Sequence, residues 1–219
     1  QGGQVRLFDA LEFNPGLRWI DVASDLAFAY MDLLQFGQGG LANVLVNAVL
    51  ADNGDYACAP LLRFYAVYRA MVRAKVAALG WNERGDSADL ALARSYMRLA
   101  LRLGQPEAAR LVITHGVSGS GKTVASSAYL RADTSGNCLR LRSDVERKRL
   151  FGMSALQRSD SVQNARLYSA EAHRRTFERL RAQTEQALRA GWSVLVDATF
   201  LRRADRDEYR ELAQRLGVG

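Results

Sequence analysis

The eight residues 116–123, GVSGSGKT, constrain this chain more than any other segment. They fit the phosphate-binding loop pattern G-x-x-x-x-G-K-[ST] at every fixed position. Glycines let the backbone turn so that several N–H groups point at one anion, and a following helix adds the positive end of its dipole. The pattern therefore predicts a strand, a phosphate loop and a helix in that order.

Both flanks of the loop agree with this prediction. The apolar run 111–115 predicts a buried strand, and residues 122–131 predict a helix, so a chance glycine-rich turn is the weaker alternative. Lys122 is predicted to reach the β- and γ-phosphates during transfer, and the Thr123 hydroxyl to hold Mg²⁺. The predicted cofactor-binding residues are Gly116, Val117, Ser118, Gly119, Ser120, Gly121, Lys122, Thr123 and Val124.

Size and composition indicate a globular protein. The 219 residues, 48% hydrophobic and 24% charged, suffice for one large or two small domains. We find no apolar run of membrane-spanning length and no signal peptide, and the missing initiator Met indicates a piece of a longer protein. Cys58 and Cys138 lie far apart without metal-ligand spacing, so a reduced, cytoplasmic setting is expected.

The net charge of +7 suits polyanions, including nucleotides and nucleic acid. Most arginines, however, alternate with Glu and Asp on helical segments such as 171–189, a pattern typical of a solvated helix face. Nucleic acid is therefore an open but disfavoured partner, and the oligomeric state is undetermined.

The expected fold class is α/β, with a change of pattern along the chain. Residues 1–103 predict a mainly helical domain, 104–109 a linker and 110–219 a P-loop domain. The predicted helices of the first half cover 21–36, 41–51, 60–79 and 86–103, with breaks at Gly37–Gly40 and a stop at Gly80. Met31, Met71 and the Phe and Tyr residues fall at helical spacings and are expected in the core.

The second half alternates strands and helices. The predicted strands are 111–115, 138–142 and 192–197, and the predicted helices are 122–131, 144–151, 161–190 and 203–216. Repeated strand–helix units indicate a parallel sheet in a three-layer arrangement with flanking helices.

Two carboxylates lie where parallel strands end, the edge at which such sheets bind ligands. Asp197 ends the third predicted strand and is a candidate Mg²⁺ ligand, with a helix N-cap as the alternative. Asp144 follows the second strand and is a candidate base for an acceptor hydroxyl. Arg147, one helical turn later, is a candidate clamp for substrate or phosphate. The alternative for this pair is an N-cap Asp with a surface Arg.

The segments GVSGSGKT, RSDVERKRL and VLVDATF resemble the small P-loop kinases grouped with polynucleotide kinase and zeta toxin. The resemblance covers residues 110–219. It implies that Asp144 and Arg147 act on the acceptor hydroxyl, that Lys122 is catalytic and that Asp197 is the strand-end acid of the metal site.

The first half resembles the C-terminal lobe of aminoglycoside phosphotransferase-like kinases, through FDALEFNP at 8–15 and WIDVASDLA at 19–27. The resemblance implies that Asp9 binds Mg²⁺ and that Asp25 steadies a catalytic loop. From the residues alone, Asp9 is a turn residue. His115 and His173 are the only histidines, and neither is followed by the Asp of that loop's His-x-Asp motif.

Together the resemblances indicate the central part of a bacterial fusion of a phosphotransferase-like domain with a C-terminal P-loop kinase. The expected function is transfer of the γ-phosphoryl of ATP, with Mg²⁺, to a hydroxyl of a small molecule, a nucleotide or a nucleic-acid end. ATP is favoured over GTP because the sequence has no N/T-K-x-D element. An ATP-hydrolysing switch and a structural remnant are the alternatives.

Overall fold

The computed structural model describes residues 19–105, 108–153 and 169–219. Its three strands form one parallel sheet in the order β1-β3-β2. Their bounds are β1 Leu111–Ile113, β2 Cys138–Arg142 and β3 Ser193–Asp197. In this register Arg142 lies opposite Asp197, so the last residues of β2 and β3 meet at the carboxyl edge of the sheet.

The described residues also form eight α-helices, which contain many more residues than the three strands. Their bounds are α1 Val22–Gln35, α2 Gly39–Asn53, α3 Ala59–Arg84, α4 Ser87–Gly104, α5 Lys122–Ala132, α6 Ser143–Leu150, α7 Ala170–Arg189 and α8 Arg203–Leu216. A short 3₁₀ turn, Tyr56–Cys58, precedes α3. The chain is therefore mixed α/β, mostly helical, with a small parallel sheet.

The handedness of the strand connections explains why helices lie on both faces of the sheet. The β1–α5–β2 connection moves two strand positions across the sheet, because β3 lies between β1 and β2. The connection from β2 through α7 to β3 moves one position in the opposite direction. Because parallel crossovers are right-handed, these opposite steps require α5 and α7 on opposite faces of the sheet. Both helices contact β2 and β3, which completes the expected three layers.

The predicted break at Gly37–Gly40 is wrong in its second half, because α2 begins at Gly39. A β-carbon on Gly39 would collide with the carbonyl oxygen of Thr134, and one on Gly40 with that of Arg131. These glycines therefore serve close approach of the α2 start to the end of α5 rather than a turn. The sequence cannot distinguish the two uses of glycine.

The predicted stop at Gly80 is also wrong. Helix α3 continues to Arg84, and Gly85, with φ +70°, ends it in the left-handed conformation. A β-carbon on Gly80 would meet the guanidinium of Arg84, which is paired with Asp89 of α4. Gly80 thus provides room for a side-chain contact between the two helices.

One large hydrophobic core joins the helical residues to the sheet, and Leu130, Cys138 and Leu195 form a second, smaller cluster. Tyr30 of α1 lies against Trp192, with ring centroids 5.8 Å apart, and both are buried. Trp192 donates its indole N–H to the carbonyl of Ala59 at 2.9 Å. The Tyr30 hydroxyl donates to the carbonyl of Gly136 at 3.1 Å. The helical half therefore packs against the amino-terminal end of β2 and β3, away from the edge where Asp197 lies.

Helix α2 covers the free edge of β2 with two asparagines. The backbone N–H of Cys138 donates to Oδ1 of Asn43 at 3.0 Å, and the N–H of Arg140 donates to Oδ1 of Asn47. Asn47 returns a hydrogen bond from Nδ2 to the carbonyl of Cys138 at 2.8 Å. An edge strand otherwise presents unpaired donors and acceptors, so these side chains replace a fourth strand.

The predicted core is only partly correct. Met31 is buried, but Met71 is 42% exposed, and Phe36, Phe64 and Tyr68 are also exposed. Periodicity identifies an apolar position without showing whether a neighbouring element covers it. Both cysteines are free and buried, and burial raises the pKa of the Cys58 thiol to about 11 and that of Cys138 to about 12.

Some predictions lie outside the described residues. These are Asp9, the loop around it and the first turns of the helix predicted over 161–190. Asp25 is described and lies exposed in the first turn of α1. Within the described ranges, none of the helices combines the length and the apolar character that a membrane crossing requires.

Two Gly→Ala substitutions should have opposite effects on stability. At Gly104, where a β-carbon meets open space, alanine should leave the free energy of unfolding unchanged or raise it by up to about 1 kcal/mol. At Gly40 the contact with Arg131 should instead lower it by roughly 1–3 kcal/mol. Urea denaturation measures both. Equal effects at the two positions would show that the α2–α5 approach is not tight.

Candidate functional site

The phosphate loop connects β1 to α5 through backbone conformations that favour glycine. Gly119 and Gly121 have φ of +79° and +80°, and Gly121 is the N-cap of α5. The N–H of Gly116 donates to the carbonyl of Thr199 at 3.1 Å, which ties the start of the loop to the segment after β3. The loop thus lies at the amino end of a helix, where backbone N–H groups attract anions.

Lys122 opens α5 and folds back over the loop. Its ammonium group donates to the carbonyl of Val117 at 2.5 Å and lies 3.4 Å from the hydroxyl of Ser120. Both partners are weak ones for a cation compared with a phosphate. The lysine can therefore exchange them for phosphate oxygens without breaking a strong ion pair.

A cleft of about 670 Å³ lies at the carboxyl edge of the sheet. It brings together nine of the predicted site residues: Ser118, Gly119, Gly121, Lys122, Thr123, Val124, Asp144, Arg147 and Asp197. Its lining further includes Arg142, Ser143, His173, Ala198, Thr199 and Leu201. The remaining predicted loop residues, Gly116, Val117 and Ser120, belong to the loop but do not line the cleft.

Asp197 is held in place below the loop. Its side chain is only 5% exposed, and Oδ2 accepts a hydrogen bond from the hydroxyl of Ser126 at 2.9 Å. Nε of Arg142 lies 4.0 Å from the same oxygen. Asp197 is not a helix N-cap, since α8 begins six residues later with Arg202 as its cap. A buried carboxylate with one engaged oxygen leaves Oδ1 for a further ligand.

A second cation supports Asp197 indirectly. Arg140 donates from one guanidinium nitrogen to Ser126 at 3.1 Å and to Ser127 at 2.7 Å. Burial lowers the pKa of Arg140, the neighbouring Arg142 lowers it further, and Asp197 opposes both effects. Arg140 and Arg142 alternate along β2 and so share a face with each other. That alternation is the sequence signal by which both could have been found.

Asp144 and Arg147 enter the cleft from α6. Asp144 lies in the first turn of that helix, where the cap is Arg142, so the N-cap alternative for Asp144 is wrong. Its carboxylate is about half exposed and lies 3.1 Å from the ammonium group of Lys148. Arg147 is half-buried and lines the same cleft. The carboxylate is thus accessible and held on the helix surface by an ion pair.

Helices α2 and α7 anchor α6. Glu146 is fully buried, pairs with Arg149, and accepts hydrogen bonds from Arg179 of α7 at 2.6 Å and from Gln183 at 3.1 Å. Arg149 also donates to the carbonyl of Ala51, at the end of α2, at 2.7 Å. A cation suits the negative end of a helix dipole. The orientation of Asp144 and Arg147 therefore depends on α2 and α7.

Another part of the cleft lining comes from α7 and the segment after β3. His173 stacks on Phe177, with ring centroids 4.4 Å apart. Phe200 is buried with φ +45°, an uncommon conformation for a residue other than glycine. Arg206 donates to the carbonyl of Phe200 at 2.6 Å and holds this turn. Sequence reasoning missed His173 as a site residue, because its neighbours in sequence carry no motif.

The donors available for a cation are oxygens. Thr123 and Asp197 both line the cleft, and Mg²⁺ prefers carboxylate and hydroxyl oxygens together with water and substrate phosphates. The described part of the chain contains no cluster of three or more His, Cys, Asp or Glu residues suited to a metal. Mg²⁺ sites of nucleotide enzymes need only one or two protein ligands, so the residues present fit this ion.

Comparison with known proteins agrees with the site. Residues 111–219 match the family model of an AAA domain. The match supports a P-loop, nucleotide-binding type of domain over this part of the chain. The matched region does not reach residues 1–110, so the phosphotransferase-like interpretation of the first half stays a prediction. No solved structure matches the chain significantly.

The chain is also similar to uncharacterized proteins of Mycobacterium bovis and Mycobacterium tuberculosis. Each is 30% identical over 198 residues, which is 90% of this chain and 39% of the relative. The chain thus spans about two fifths of the length of the curated relatives it matches. The similarity includes the helical half, so both halves occur together in these proteins.

Substitution of Ser126 tests the support of Asp197. Ser126→Ala leaves the buried carboxylate without its hydroxyl donor and should lower the free energy of unfolding by about 1–3 kcal/mol. Ser127→Ala is the matched control, because it removes a hydrogen bond from Arg140 but none to Asp197, and it should have a smaller effect. Urea denaturation measures the difference, and equal losses would contradict a specific role for Ser126.

Proposed function

We propose that the chain is an ATP-dependent phosphotransferase that moves the γ-phosphoryl group to a hydroxyl of an acceptor. One observation carries the proposal: Lys122, Asp144, Arg147 and Asp197 line a single cleft at the end of the phosphate loop. A nucleotide-hydrolysing site needs the loop and the strand-end acid. A second carboxylate beside a cation, on another wall, additionally supports binding of an acceptor.

Each residue has a role that its surroundings support. The loop backbone and Lys122 bind the phosphates and offset the charge that develops on the transferring group. Arg147 orients the phosphoryl group or the acceptor, since a guanidinium can donate two parallel hydrogen bonds. Asp144 accepts the proton of the acceptor hydroxyl, because its carboxylate is accessible and only half exposed to water.

Thr123 and Asp197 would hold Mg²⁺, which would offset part of the phosphate charge when bound. Asp197 is oriented for this by Ser126 and by the two arginines of β2. We further propose that Asp9 contributes to a second metal site, as the phosphotransferase resemblance implies. The cleft leaves the acceptor open among small molecules, nucleotides and nucleic-acid ends.

Loss of the loop lysine should weaken nucleotide binding. We expect ATP with Mg²⁺ to bind the wild-type chain saturably in calorimetry, and Lys122→Ala to weaken binding at least about tenfold, because charge-assisted hydrogen bonds to phosphate are lost. Lys75→Ala, on α3 and away from the cleft, is the control. No binding by the wild type would contradict the proposed function.

Substitution of Asp144 distinguishes a kinase from an ATP-hydrolysing switch. With γ-labelled ATP and a panel of sugars, nucleosides and 5′-hydroxyl oligonucleotides, the wild type should label an acceptor. Asp144→Asn should reduce that transfer roughly a hundredfold or more, the range for a lost general base. Unlabelled acceptors throughout, with hydrolysis unaffected by the substitution, would instead support the switch.

A further inference from the structure

His173 and Asp205 form a pair that the proposed mechanism does not use. His173 lies in the first turn of α7 and Asp205 in the first turn of α8, and Nε2 of the imidazole is 3.3 Å from Oδ2 of the carboxylate. Only His173 lines the cleft. The pair therefore places an imidazole in the lining of the cleft, with a carboxylate beside it that does not line the cleft.

Burial determines which ring nitrogen faces the carboxylate. Nε2 of His173 and Oδ2 of Asp205 are both inaccessible to water, and in the described residues neither has a hydrogen-bond partner that satisfies strict geometry. The two atoms lie 3.3 Å apart. Since buried polar groups are costly when unsatisfied, a proton on Nε2 shared with Oδ2 is the arrangement that satisfies both atoms.

This arrangement leaves Nδ1 as a hydrogen-bond acceptor. In a neutral imidazole one nitrogen donates and the other accepts. The His173 side chain is 23% exposed while its Nε2 is buried, so the exposure belongs to the rest of the ring. Among the described residues Nδ1 has no partner. The stacking on Phe177 and the contact with Asp205 hold the ring in one orientation.

We propose that His173, oriented by Asp205, contacts the group that attacks the phosphoryl and accepts a hydrogen bond from its hydroxyl through Nδ1. The attacking group is an alcohol in transfer and water in hydrolysis. A carboxylate that orients an imidazole for a hydroxyl is an arrangement known from unrelated enzymes. This inference rests on the proposed function and adds a second hydroxyl contact to that of Asp144, which lines the same cleft.

Two substitutions separate this contact from a purely structural link. The amide of Gln can occupy the region of Nε2 and keep the link to Asp205, whereas the shorter Asn can place its oxygen near Nδ1 and loses that link. The probe is hydrolysis of ATP with Mg²⁺, in which water is the attacking group. Calorimetry of ATP binding and urea denaturation of each variant accompany the rates.

We expect His173→Gln to lower the rate of hydrolysis roughly tenfold with unchanged ATP affinity, as for one lost hydrogen bond, and His173→Asn to lower it less. A structural link predicts the reverse order, with Gln close to wild type. Equal rates of ATP hydrolysis by His173→Gln and the wild type overturn the inference, whether those rates are high or low. A larger loss of rate for His173→Asn than for His173→Gln also overturns it.

Nitrogen-15 NMR of the imidazoles provides a readout that does not depend on turnover. The chain has two histidines, so spectra of His173→Asn assign the remaining signals to His115. We expect the neutral His173 ring to carry its proton on Nε2 in the wild type and to lose that preference in Asp205→Asn. A proton on Nδ1 overturns this inference alone, whereas absent ATP binding overturns the proposed function.

Discussion

The pairing of α2 with the edge of β2 is the contact on which the rest of the structure depends. A three-stranded sheet has two free edges, and unpaired backbone groups at a buried edge would be costly. Asn43 and Asn47, one helical turn apart, bond to Cys138 and Arg140 in place of a further strand. This contact aligns α2 along β2, and its close approach to α5 requires glycine at its start.

The same alignment extends to the cleft. The end of α2 accepts hydrogen bonds from Arg149, and Arg149 pairs with the buried Glu146, so α6 is fixed between α2 and α7. Helix α6 carries Asp144 and Arg147. Through α2, the helical half therefore helps to hold the helix that carries the proposed acceptor-binding residues. The carboxyl edge of the sheet stays accessible. The division into two domains at 104–109 stays a prediction. Residues of both halves share one large hydrophobic core.

The cleft itself combines two kinds of support. The phosphate loop depends on local backbone geometry, because glycines and a helix start suffice to direct N–H groups at an anion. Asp197, in contrast, depends on partners distant in sequence: Ser126 on α5 and two arginines on β2. His173 and Asp205 come from two further helices. The phosphate loop is thus the part of the site that depends least on tertiary contacts, whereas the chemistry of the site depends on the residues around the loop.

From the sequence alone, the phosphate loop, all three strands and most helices of the described chain could be predicted, because each depends on local patterns of apolar residues and glycine. The tertiary structure alone decided how Gly39, Gly40 and Gly80 are used, that Met71 is exposed, and that His173 lies in the cleft with Asp205 behind it. These depend on which elements pack against one another. That packing brings together residues far apart in the chain, and no local pattern records it.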